Sequence, residues 1–106
     1  MYKQVFESGK ALRSAPLTVR YFFSEDHSRL GFIIRKKVGN ACMRNSIRRT
    51  LRESFRDALP DFREGTWIVF DVSDKASQFR RAELRAQADQ MLGALKPSKS
   101  AAEKRS

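Results

Sequence analysis

The sequence predicts a small single-domain α+β fold, and three observations carry that expectation. Residues 40–59 repeat apolar side chains at helical spacing; residues 17–23, 29–35 and 66–72 are rich in β-branched and aromatic residues; and helical spacing returns near both ends of the chain. A chain of 106 residues can form one core but not a deep enclosed cavity with its supporting shell.

Tyr2, Val5 and Phe6 fall on one face of a short helix over Met1–Ser8 that Gly9 can end. Lys10 to Arg13 can add a short extended piece. Pro16 then opens a strand over Leu17–Phe23, with Leu17, Val19, Tyr21 and Phe23 facing one way and Thr18, Arg20 and Phe22 the other. The polar turn 24–28 leads to a second strand from Arg29 to about Arg35, and the short connection predicts an antiparallel hairpin between the two. Lys36 to Gly39 break that strand, and Asn40 is placed to cap a helix running to Leu59, where Pro60 stops it. Met43, Ile47, Leu51, Phe55 and Leu59 form its apolar stripe. After the loop 61–65, Thr66–Val72 reads as a strand buried on both faces, and the strand-helix-strand order implies a parallel pairing across the helix. A last helix from Ser77 or Gln78 to Leu95 packs through Leu84, Ala88, Met91, Leu92 and Leu95. The domain is thus expected over 1–95, with 96–106 a flexible basic tail.

Charge narrows the function. The chain carries a net +10, and between Arg29 and Arg56 nine Lys or Arg stand against one acid, Glu53. That concentration points to a polyanionic partner. A single cysteine, Cys42, excludes an internal disulfide and a cysteine zinc cluster. No apolar run reaches the roughly 20 residues of a membrane span, and the N-terminus lacks a signal-peptide core. A cytoplasmic protein with no membrane association is expected.

On the long helix Arg44, Arg48, Arg52 and Arg56 recur every four residues, and Asn45 and Arg49 widen the ridge. Arginine offers a planar fork that fits phosphate oxygens, and like charges so spaced repel one another unless an outside anion meets them. Asn45 adds a donor and acceptor for a base edge or sugar hydroxyl. Nuclease chemistry finds little support: His27 is alone in a turn, Glu25, Asp26, Asp71 and Asp74 are dispersed in loops or at strand ends and read as solvated, and Cys42 reads as a packing residue. Neither a catalytic residue nor a metal ligand is expected.

Arg29-Leu30-Gly31-Phe32, Lys36-Lys37-Val38-Gly39-Asn40-Ala41, Arg44-Asn45, and Arg48-Arg49 followed by Leu51-Arg52-Glu53-Ser54-Phe55-Arg56 together resemble the signature of the bacterial ribonuclease P protein component. Tyr2, Val5, Phe6 and Gly9 match that family's first helix more weakly. The resemblance implies an α-β-β-β-α-β-α sandwich, of a kind also found in a small-subunit ribosomal protein, with a four-stranded sheet and a left-handed parallel β-α-β crossover, contrary to the usual hand. It implies an accessory subunit of a ribonucleoprotein endonuclease that removes the 5′ leader of precursor tRNA, with Mg²⁺ bound mainly by the RNA subunit and no obligate protein partner. By position, Lys36, Lys37, Arg44, Asn45, Arg48, Arg49, Arg52 and Arg56 would contact the ribonuclease P RNA; Tyr2, Phe6 and Arg20 would line the leader cleft.

The chain departs from the family pattern in places. Ser46 follows Arg44-Asn45 where the family has a second Arg, Arg20 stands where an aromatic is common, and Asp71-Val72 replaces a small residue and Arg. The chain also starts within what the resemblance makes the first helix. Two other readings stay open: a ribosomal-type RNA-binding module without a processing role, and a DNA-binding protein, against which the lack of a helix-turn-helix pair speaks.

Overall fold

The computed structural model describes residues 2–95, so the expected tail at 96–106 lies outside the described residues. The elements are α1 (Tyr2–Ser8), β1 (Lys10–Ser14), β2 (Leu17–Phe23), β3 (Arg29–Ile34), α2 (Ala41–Ala58), β4 (Thr66–Val72) and α3 (Arg81–Leu95), with short 3-10 turns at 36–38, 59–61 and 74–78. One four-stranded sheet runs in the order β1-β2-β4-β3. β1 and β2 pair antiparallel, as do β2 and β4, while β3 lies parallel to β4 across the α2 connection.

The strand order corrects one expectation. Residues 17–23 and 29–35 do not form a hairpin, because β4 lies between them. Every residue of β4 but Asp71 is buried, and only a central place covers both faces of such a strand. The loop 24–28 therefore wraps the start of β4. Ser24 donates to the Gly65 carbonyl from its N–H (2.8 Å) and from Oγ (2.9 Å), and the Gly65 N–H donates to Ser28 Oγ at 3.1 Å. Trp67 Nε1 donates to the His27 carbonyl at 2.8 Å. Gly65 has φ +91°, and a Cβ there would collide with the Ser24 carbonyl, so this crossing requires glycine.

Alternation along the strands gives the sheet two different faces. The inner face presents Leu17, Val19, Ile68, Phe70 and Val72 to the buried sides of α2 and α3, which form the main core. All five residues expected on the packing face of α3 are buried, although that helix begins at Arg81, after the 3-10 turn 74–78. The outer face is covered only in part: Val5 of α1 packs with Trp67 and Val69, with Phe22 and Ile33 alongside. Beyond α1 the outer face stays open.

On α2, the Asn40 side chain accepts the Met43 N–H at 2.8 Å and caps the helix as expected. The buried residues are Ile47, Leu51, Ser54, Phe55 and Ala58, and the large apolar ones each contribute about 2 kcal/mol. Leu59, expected in the stripe, is exposed, and Met43 is half-buried. A spacing of four overshoots the helical turn by about 40° per step. A stripe of five residues so spaced swings past both edges of the buried face, and Ser54 and Ala58 fill it instead. The same geometry sets Cys42 opposite the buried face, so it is exposed rather than packed.

Candidate nucleic-acid interface

About 100° of rotation per residue spreads Arg44, Arg48, Arg52, Asn45, Arg56 and Arg49, in that angular order, over an arc of about 140° beside the buried stripe. Arg44 and Arg48, next to the stripe, are half-buried, and the other four are exposed. The arc is ordered by neutral partners. Arg48 Nη1 donates to Asn45 Oδ1 at 2.6 Å, and Arg44 Nε to the Asn40 carbonyl at 3.5 Å. The Arg48 and Arg52 guanidinium carbons stand 5.9 and 5.5 Å from the Phe32 ring centre, holding both groups by cation–π attraction. Asn45 therefore spends its carbonyl on Arg48 while its side chain stays exposed.

Among the described residues no carboxylate pairs with these five arginines. Glu53, the single acid of the stretch, lies further round the helix and meets Arg85 of α3 at 3.8 Å. Arg85 also binds Asp57 at 2.5 Å and Asp89 at 2.9 Å, and the hydrogen bonds it donates to Asp89 and then Asp57 raise its pKa above the ordinary arginine value. Asp89 accepts from Ser54 Oγ as well, at 2.5 Å. Arg85 thus gathers the acids of α2 on the side away from the ridge. Nothing in the local sequence marked this role.

Beside the ridge, the uncovered outer face forms an open cleft of about 530 Å³, lined by Arg13, Pro16, Thr18, Arg20, Arg35, Lys36, Lys37, Asp71, Ser73 and Asp74. Lys36 and Lys37, both exposed in the turn before α2, join cleft to ridge. Phe6 is 47% exposed, and the Arg20 guanidinium carbon lies 4.6 Å from its ring centre. Of the residues expected at the leader cleft, Phe6 and Arg20 are therefore brought together. Tyr2 stands apart: its hydroxyl receives the Phe32 N–H at 3.0 Å and donates to the Phe32 carbonyl at 3.3 Å, tying α1 to the edge strand β3. Tyr2 is nevertheless 42% exposed as a residue.

Asp71 corrects another expectation. Instead of being solvated it sits on the cleft floor between Arg20 (3.7 Å) and Arg35 (3.6 Å). Sequence reasoning did not assign Arg13, Thr18, Arg35 and Ser73 to the site, because strand pairing brings them there from separate stretches. His27 faces Glu64 at 3.3 Å on the exposed far loop, away from both surfaces.

These features define a small α+β domain of the nucleic-acid-binding kind, with a guanidinium ridge and an aromatic-edged basic cleft beside it. The chain belongs to the ribonuclease P protein family, whose model, described as Ribonuclease P, matches residues 1–96. The ribonuclease P protein component of Oceanobacillus iheyensis is 31% identical over 93 residues, covering 86% of this chain and 77% of that protein. That of Dehalococcoides mccartyi is 42% identical over 66 residues, 62% of this chain and about half of its own length. The solved RNase P protein of Thermotoga maritima, in complex with 1-(4-fluorophenyl)-2-thiourea, is 31% identical with a TM-score of 0.74 over 90% of this chain and 91% of that one. The Staphylococcus aureus RNase P protein shares the fold, with a TM-score of 0.79 at 23% identity over 88% and 86% of the two chains. With the family come RNA binding and a part in tRNA processing.

Proposed function

We propose that this subunit docks its arginine ridge on the ribonuclease P RNA and takes the 5′ leader of precursor tRNA into the adjoining cleft, promoting endonucleolytic 5′ maturation. The observation that carries the reading is the α2 arc, where five arginines meet no carboxylate among the described residues and Arg85 holds the neighbouring acids away. Arg44, Arg48, Arg49, Arg52 and Arg56 would meet phosphates of the RNA subunit, Asn45 a base edge or hydroxyl, and Lys36 and Lys37 would bridge to the leader. Phe6, beside Arg20, offers a stacking surface for an unpaired base, and Tyr2 steadies the helix that carries it.

On this reading the protein binds and orients while cleavage belongs to the RNA subunit, with Mg²⁺ bound mainly there. The protein's own residues do not fit a resident metal: among the described residues no three or more His, Cys, Asp or Glu gather into a metal-holding group, and Asp71 is engaged by arginines. The reading places the protein in the cytoplasm without an obligate protein partner; no described helix is long and apolar enough to cross a membrane. Family membership favours this reading over a ribosomal-type module.

Reconstitution with the RNA subunit from the same source tests it. At low Mg²⁺ the protein should restore precursor cleavage that the RNA alone lacks, and no gain on adding protein would contradict the reading. Within that complex Phe6→Ala should weaken precursor tRNA about tenfold, the cost of one lost base stack, and leave mature tRNA nearly unchanged. Equal losses would remove Phe6 from the cleft.

A further inference from the structure

The floor of the cleft holds an acid where a polyanion is to bind, and its geometry gives the reason. Arg20 Nε is buried and has no hydrogen-bond partner, with Asp71 Oδ2 beside it at 3.7 Å. A guanidinium grips phosphate through two adjacent N–H groups presented together to the ligand. In Arg20 the buried Nε removes the side-on fork, leaving only the end-on Nη pair, and a carboxylate offsets the charge. What Arg20 does present is its contact with Phe6, at 4.6 Å from the ring centre. Guanidinium planes and aromatic rings both accept stacked bases. Arg35, on the other side of Asp71, is 56% exposed at the side chain against 25% for Arg20, so it remains available at the rim.

We propose that Asp71 is a positioning residue: it holds the Arg20 guanidinium on Phe6, so that the two side chains form one stacking platform for an unpaired base of the bound strand, and Arg20 does not act as a free phosphate clamp. This inference rests on the reading that the cleft takes the leader. Phosphates flanking the stacked base are met by the cations at the rim, Arg13, Arg35, Lys36 and Lys37.

The test uses the reconstituted ribonucleoprotein and precursor tRNAs carrying a single abasic nucleotide at successive leader positions. With the unaltered protein, one position should lower precursor affinity about tenfold when its base is removed. In Asp71→Asn that abasic effect should vanish, and the released Arg20 should steepen the dependence of log affinity on log salt by about 0.7, the increment for one more single-strand phosphate contact. Arg20→Lys leaves β4 untouched and keeps the charge without the planar group; it should lose the abasic effect in the same way, which covers the case of an Asp71 variant that folds poorly. Precursor preference with no abasic effect at any leader position, or an Asp71→Asn variant retaining both the effect and the salt slope, would overturn the inference alone. Equal affinity of the unaltered complex for precursor and mature tRNA would overturn the cleft reading and this inference together.

Discussion

The two flanks of α2 share one backbone and one buried stripe, yet they are electrostatically opposite. On one flank stand Arg44, Arg48, Arg49, Arg52 and Arg56, of which Arg44, Arg48 and Arg52 are steadied by a backbone carbonyl, an asparagine and the Phe32 ring. On the other, Glu53 and Asp57, with Asp89 from α3, close on the single guanidinium of Arg85. Had the acids been set between the arginines, the helix would have neutralised itself along its length. Segregation leaves the arc of guanidinium groups without a carboxylate partner among the described residues, and the neutral Phe32 ring orders Arg48 and Arg52 without cancelling their charge.

The comparison can be broken most sharply on the basic flank. Arg48→Ala with Arg52→Ala should lower affinity for the ribonuclease P RNA by at least about a hundredfold, since each charge-assisted hydrogen bond contributes about 1.5–3 kcal/mol. Neither side chain fills the core, so the helical circular dichroism and the melting temperature should stay close to those of the unaltered protein. Coincident loss of helicity would make the two arginines structural. The acidic flank should respond the other way round. Arg85→Ala should cost about 1 kcal/mol of stability, because the pairs it breaks are half exposed and screened, and should weaken RNA by only about threefold as the released carboxylates raise the negative potential near the ridge. An RNA loss as large as that of the double variant would place Arg85 in the interface. Asp57→Asn, removing one carboxylate from the same cluster, should change RNA affinity by less than Arg85→Ala, and a larger change would mean that the acids on this flank touch RNA.

Much of this arrangement was legible in the sequence, and the limit is a physical one. The ridge, the Asn40 cap, the buried strand Thr66–Val72 and the packing face of α3 follow from short-range periodicity. Strand order does not. A polar five-residue turn between Phe23 and Arg29 reads as a hairpin, and only the burial of β4 on both faces together with the crossing at Gly65 forces the two strands apart. The cleft was half legible for the same reason. Phe6 and Arg20 were expected there, but Arg20 and Asp71 stood out only as separate departures from the family pattern, and pairing of β2 with β4 puts them in contact. Arg85 belonged to no pattern: its role depends on how α3 lies against α2.

Salt dependence tests the ridge most directly, because it counts the phosphates displaced rather than the energy lost. Assembly of the unaltered protein with its RNA should weaken by about three decades between 50 and 200 mM salt if about six phosphates are neutralised. In the Arg48→Ala, Arg52→Ala variant the slope of log affinity against log salt should be shallower by about two contacts' worth, or about 1.8. A slope unchanged by that substitution, or a flat titration of the unaltered protein, would contradict the assignment of the α2 arginines to the RNA.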